Sequence, residues 1–217
     1  MAQSFLVIGL GRFGAALAQS LYELGQEVVC IDESEEAVHR VADHVTHVMQ
    51  GDATDEAVLR AVGARNFDCV VVSMAGDIES SILITLMLRE MGAKKIISKS
   101  QSALHTKVLQ KIGADEVVYP EYESGMRLAQ MLSSPNFADL FELSPDYSVA
   151  EVLAPKKWVG KTFAQLDMRR RHGLNILAVR DRRRLGLKVS PSADYVIQEG
   201  DYLVALGHNK DIGRLGE

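Results

Sequence analysis

Phe5-Leu6-Val7-Ile8-Gly9-Leu10-Gly11-Arg12-Phe13-Gly14 is the stretch that decides how this chain folds. Its first four residues are apolar and β-prone, which marks a short buried strand. Three glycines then fall in the spacing G-x-G-x-x-G and open residues 12–24, where Phe13, Leu17, Leu21 and Leu24 recur at helical intervals. Gly25 stands where a helix takes a left-handed residue just past its end. Strand, glycine turn and helix in that order begin a doubly wound α/β domain.

The alternation continues outward from there. Residues 27–31, 45–49, 69–72, 95–97 and 116–118 read as further strands. Helical spacing fills residues 34–42, 55–62 (with Thr54 as N-cap), 78–91 and 103–112. Strands alternating with helices predict a parallel Rossmann sheet covered on both faces. One more helix, over 121–132, leads to the turn signal Ser133-Ser134-Pro135-Asn136, where the alternation stops. The expected division is therefore a Rossmann domain over residues 1–134 and a smaller α+β domain over 135–217. The second part offers β-like runs at 149–153, 175–179, 195–197 and 202–206 and a short helix at 162–166. It is near the lower size for a domain folding alone, so it is expected to gain stability by dimerising.

Composition is that of a globular protein: 217 residues, 47% hydrophobic and 24% charged. A spanning helix needs about 20 consecutive apolar residues, and the longest candidate, residues 82–88, stops at Arg89 and Glu90. With no signal-like start at Met1-Ala2-Gln3-Ser4, a soluble cytoplasmic chain is expected, reaching a membrane only through a partner. Cys30 and Cys69 sit inside apolar strands and read as small buried hydrophobes. The net charge is −5; residues 1–134 carry 11 Lys+Arg against 18 Asp+Glu, and residues 135–217 carry 13 against 11. An acidic first domain argues against nucleic acid as a partner.

Each part of the glycine stretch has a mechanical use. Gly9 permits the tight turn, Gly11 presents no Cβ to a phosphate, and Gly14 lets the helix pack close to the sheet. Asp32 follows Gly11 by 21 positions, near the offset of about 20 expected for an acid that holds a ribose diol. Asp32-Glu33 together would repel a 2′-phosphate, which disfavours NADPH. Arg12, inside the loop beside Phe13, brings a guanidinium that can grip a terminal phosphate and tilts the ligand toward ADP or ATP over NAD; the alternative is a solvated arginine. Ligands of such sheets sit beyond the strands' carboxyl ends. There lie the loops Gly51-Asp52-Ala53-Thr54 and Ser73-Met74-Ala75-Gly76-Asp77. Asp52 either accepts from an adenine amino group or caps the helix region that follows. Lys99 either reaches a phosphate or is a plain surface lysine.

With Gly9 to Gly14, Asp32, the Gly51-Asp52-Ala53-Thr54 loop, and Lys111-Ile112-Gly113-Ala114-Asp115 leading to Tyr119-Pro120-Glu121, the sequence resembles the RCK family, regulators of potassium conductance of the KtrA/TrkA type. Gly207-His208-Asn209-Lys210-Asp211-Ile212 is similar to that family's closing segment, and the length matches its single-repeat, KtrA-like members. The resemblance implies a homodimer built into an octameric ring that docks on the cytosolic face of a KtrB/TrkH-like membrane potassium channel subunit and gates it. It implies ATP and ADP, and in some members NAD(H), at the glycine loop, with Arg12 near the γ-phosphate. It further implies a divalent cation, Mg2+ or Ca2+, at Glu121, and cyclic di-AMP at Arg169, Ile176 and Pro191. The runs Arg169-Arg170-Arg171 and Arg182-Arg183-Arg184 fit phosphate binding by charge or are solvated faces.

Two other readings of the Rossmann pattern remain open on residues alone. An NAD-dependent dehydrogenase needs an acid/base group by the nicotinamide. The second part's histidines are His172, in an apparent turn, and His208 near the chain end; neither has an evident carboxylate to orient it. A redox-sensing repressor needs a helix-turn-helix segment, and none is visible.

Overall fold

The computed structural model describes residues 2–74, 76–133, 137–181 and 186–215. Within them the chain divides into two compact units, Met1–Tyr122 and Glu123–Glu217.

The first unit is the parallel sheet. Its strands are β1 (Ser4–Ile8), β2 (Glu27–Asp32), β3 (His47–Gln50), β4 (Cys69–Val72), β5 (Ile96–Lys99) and β6 (Glu116–Val118). They run in the order β3-β2-β1-β4-β5-β6, every neighbouring pair parallel. The order reverses at β1, so the carboxyl ends of β1 and β4 flank the switch point where such folds bind ligands. Between the strands lie α1 (Arg12–Glu23), α2 (Glu35–Val41), α3 (Glu56–Val62), α4 (Ile78–Glu90) and α5 (Ala103–Lys111); α6 (Pro120–Ser133) follows β6.

Alternation along the strands splits the core into two layers. Leu6, Ile8, Val70, Val72 and Ile96 pack with Leu59, Ile84 and Leu88 on one face. Val7, Val28, Cys30, Cys69 and Val71 pack with Ala18 and Val41 on the other. Both thiols are therefore core atoms, and burial pushes the Cys30 thiol up to about 12.

The second unit holds an antiparallel sheet in the order β10-β9-β11-β8-β7. Its strands are β7 (Phe137–Glu142), β8 (Tyr147–Leu153), β9 (Leu174–Arg180), β10 (Leu187–Val189) and β11 (Tyr202–His208). Short helices α7 (Phe163–Leu166), α8 (Met168–His172) and α9 (Asn209–Gly213) complete it. Trp158, Phe163, Leu174, Ile197 and Leu203 sit in one buried cluster.

Three local expectations are overturned. Asp55, not Thr54, caps α3, its carboxylate accepting from Ala57 N at 2.8 Å. Residues 195–197 form no strand; Val196 makes only an isolated bridge to Thr162, while Ile197 is buried in the core. Its β-prone composition reflects that burial. His172 closes a helix rather than a turn, because Gly173 at φ 67° supplies the left-handed stop one residue later. β7, β10, α8 and α9 went unread: they are short and too polar or too irregular for either periodicity to register. Arg182-Arg183-Arg184 and most of the 133–136 turn lie outside the described residues.

Candidate functional site

Backbone pairing gathers the loops at the switch point. Gly9 N donates to Ile31 O at 2.9 Å and Ser73 N to Ile8 O at 2.7 Å, so the ends of β1, β2 and β4 are tied at one level. Gly9 turns at φ 90°, and a Cβ there would come within 2.7 Å of Ser73 O. Gly11 differs: its φ of −61° is open to any residue, so glycine offers a bare approach and not a special conformation. As N-cap of α1 it gives no side-chain acceptor to the first turn. The amides there and the positive end of the helix dipole are thereby left to an incoming anion.

In front of this turn lies a cleft of about 460 Å3. Gly9, Gly11, Arg12, Asp32, Glu33, Asp52, Ala53, Ser73 and Met74 all line it, so the structure brings together residues scattered over the first 74 positions. Asp32 is held ready: Oδ2 accepts from Leu10 N and Oδ1 from Ser34 N at 2.8 Å. Each carboxylate oxygen keeps a second lone pair for a ribose hydroxyl. Asp52 makes a tight turn with Thr54, accepting from its N at 2.8 Å and its Oγ1 at 2.6 Å, and the hydroxyl bond holds its carboxyl below the usual range. Among the lining residues that were missed are Ser34, Ala37 and Arg40. Ser34 caps α2, and spacings of three and six from that cap were the available signal for the other two.

Phe13, Lys99 and Glu121 are not among the residues lining the cleft but form a cluster of their own. Lys99 is not a plain surface lysine. It is 7% exposed at the end of β5, its Nζ is 2.6 Å from Glu121 Oε1, and it stands 5.7 Å from the Phe13 ring centroid. Glu121 lies in the first turn of α6. Lys99, its own backbone amide and Arg12 keep its carboxyl below the usual range, the lysine bond most strongly. Within one chain this does not fit a resident metal: an ammonium already occupies the carboxylate, and no group of three metal-ligating side chains occurs among the described residues.

In the second unit Arg169, on α8, donates to Asn175 Oδ1 at 2.9 Å. Ile176 packs against the unit's core, and Pro191 is half-buried beyond β10. His172 lies against Trp158 with ring centroids 4.7 Å apart, and burial lowers its pKa. His208 caps α9, its Nδ1 accepting from Lys210 N at 3.3 Å. Among the described residues no helix is long and apolar enough to cross a membrane.

Residues 5–120 match the TrkA-N domain family and residues 148–217 the TrkA-C domain family. The chain is 42% identical over 214 residues to the Ktr system potassium uptake protein C of Bacillus subtilis (strain 168), covering 99% of this chain and 96% of that protein. It is 41% identical over 212 residues to the Ktr system potassium uptake protein A of the same organism, covering 98% and 95%. Among solved structures the RCK domain of GsuK matches with a TM-score of 0.67 at 20% identity, over 100% of this chain and 47% of that one. The GsuK channel bound to NAD gives 0.57 at 25% identity over 98% and 38%. GsuK bound to ADP gives 0.53 at 29% identity over 60% and 34%. This chain thus spans less than half the length of those GsuK chains.

Proposed function

This chain belongs to the TrkA-type, or RCK, family of potassium-uptake proteins, and from that premise we propose that it is a nucleotide-sensing regulatory subunit that gates a membrane potassium transporter. The observation that carries the reading is the convergence of an uncapped helix start, Asp32 and Arg12 on one cleft. Those groups suit the three parts of an adenosine phosphate. Asp32 and Glu33 take the ribose diol, the turn Gly9-Leu10-Gly11 with the start of α1 takes the first phosphates, and Arg12 takes the terminal one. Ala53, Asp52, Ser73 and Met74 border the base and the far end of the cleft. ADP, ATP and the adenosine half of NAD(H) share the first two parts; ATP alone adds the third phosphate. That NAD and ADP appear in the GsuK structures supports this ligand class.

Binding acts by population shift. A ligand moves a conformational equilibrium only as far as its affinities for the two shapes differ. ATP, held by Arg12 in a way that ADP is not, favours one shape of a homodimer assembled into an octameric ring on the cytosolic face of a KtrB/TrkH-like channel subunit. Glu121 meets a Mg2+ or Ca2+ ion only after parting from Lys99, and only with ligands from the nucleotide or a second copy. Cyclic di-AMP at Arg169, Ile176 and Pro191 is a second input to the same assembly. The output is a change of shape and not turnover, and the histidines of the second unit, in packing and capping roles, are in keeping with that.

Reconstitution in liposomes with a Ktr-type membrane subunit tests the proposal. Potassium flux is expected to rise with ATP relative to ADP; equal flux with either nucleotide and with none refutes gating.

A further inference from the structure

Lys99 and Glu121 are an unequal pair. The lysine side chain is 9% exposed and the glutamate 62%. The cation is therefore buried at the end of β5 beside the Phe13 ring, while its anion is exposed in the first turn of α6. A buried ammonium stripped of its anion is costly, so some acceptor must always face Lys99. Phe13 follows Arg12, which lines the cleft, in the first turn of α1, and Arg12 acts electrostatically on the same carboxylate.

We propose that Glu121 is a built-in competitor for the nucleotide's phosphates: it occupies Lys99 in the ligand-free chain, and a phosphate drawn in beside Arg12 and Phe13 takes its place. The exchange conserves charge at Lys99 and frees the first turn of α6. Phosphate binding is thereby converted into the release of one helix start. This rests on the nucleotide reading of the cleft and deepens it, adding a cost that only phosphate-bearing ligands meet.

Calorimetry in EDTA with ATP, ADP and adenosine, on the full-length chain, tests it. Glu121→Gln removes the competing charge from an exposed position, and Lys99→Met fills a buried site with an apolar chain of similar length, so both variants are expected to fold. Glu121→Gln should bind ATP and ADP several-fold tighter than the wild type, Lys99→Met several-fold weaker, and adenosine should bind all three alike. In the double variant the gain from Glu121→Gln should vanish. ATP affinity that is unchanged or weakened in Glu121→Gln overturns the competition. Wild-type protein that binds neither ATP nor adenosine overturns the nucleotide reading itself.

Discussion

A Cβ placed on Gly14 would lie 1.9 Å from the carbonyl oxygen of Gly9. The start of α1 therefore rests directly on the turn that precedes it, and the closest neighbour is backbone, which cannot give way as a flexible side chain would. Gly14→Ala is expected to cost at least the roughly 1–3 kcal/mol usual for overpacking and to spoil the turn. Gly125, within α6, has open space around it, so Gly125→Ala should be neutral or gain about 0.5–1 kcal/mol. Urea unfolding midpoints of the two variants check the contrast.

Arg12 and Asp32 divide the cleft between phosphate and ribose. Arg12→Ala should weaken ATP about tenfold or more, the size of a lost charge-assisted hydrogen bond, and ADP by less. Equal losses for the two nucleotides would rule out a γ-phosphate contact.

Asp32→Asn keeps the shape of the side chain but removes the charge and turns one of the two oxygens that accept from Leu10 N and Ser34 N into a donor. It should weaken adenosine itself by roughly tenfold, whereas Arg12→Ala should leave adenosine untouched. Calorimetry with adenosine separates the two.

Both thiols are buried and free, and Cys30 is pushed up to about 12 by desolvation. Because the thiolate is the reactive form, neither cysteine should react with a thiol reagent at pH 8 until urea opens the sheet. Prompt stoichiometric labelling of the native chain would contradict the two-layer core.

His105 on α5 is 2% exposed, and neither ring nitrogen finds a hydrogen-bond partner. Burial lowers its pKa from 6.5, and burial likewise lowers that of His172. The unfolded chain then binds protons that the folded chain refuses, so stability present above pH 6.5 falls as the pH drops below it. Unfolding free energies measured from pH 8 to pH 5 should decline in the wild type and less steeply in His105→Leu.

What could be read beforehand follows from how local each signal is. The strand–turn–helix at Ile8 to Gly14 and the strictly apolar β4 carry their structure in adjacent residues, and both were legible. The position of Asp32 was legible because one helix and one strand of usual length, α1 and β2, separate it from Gly11. Arg40 and the Lys99–Glu121 pair were not: each depends on which helix face or strand end meets a neighbour far away in sequence, and no periodicity encodes that. In the second unit β10 has every residue exposed, so it lacks the apolar alternation that marks a strand.

Titrating ATP into the purified chain by calorimetry, with Asp32→Asn alongside, bears most directly on whether the cleft between β1 and α1 holds an adenosine phosphate. Saturable binding at one site per chain, weakened in the variant, is the outcome expected. Heats no larger than dilution for ATP, ADP and NADH alike, or binding that Asp32→Asn leaves unaltered, would contradict it.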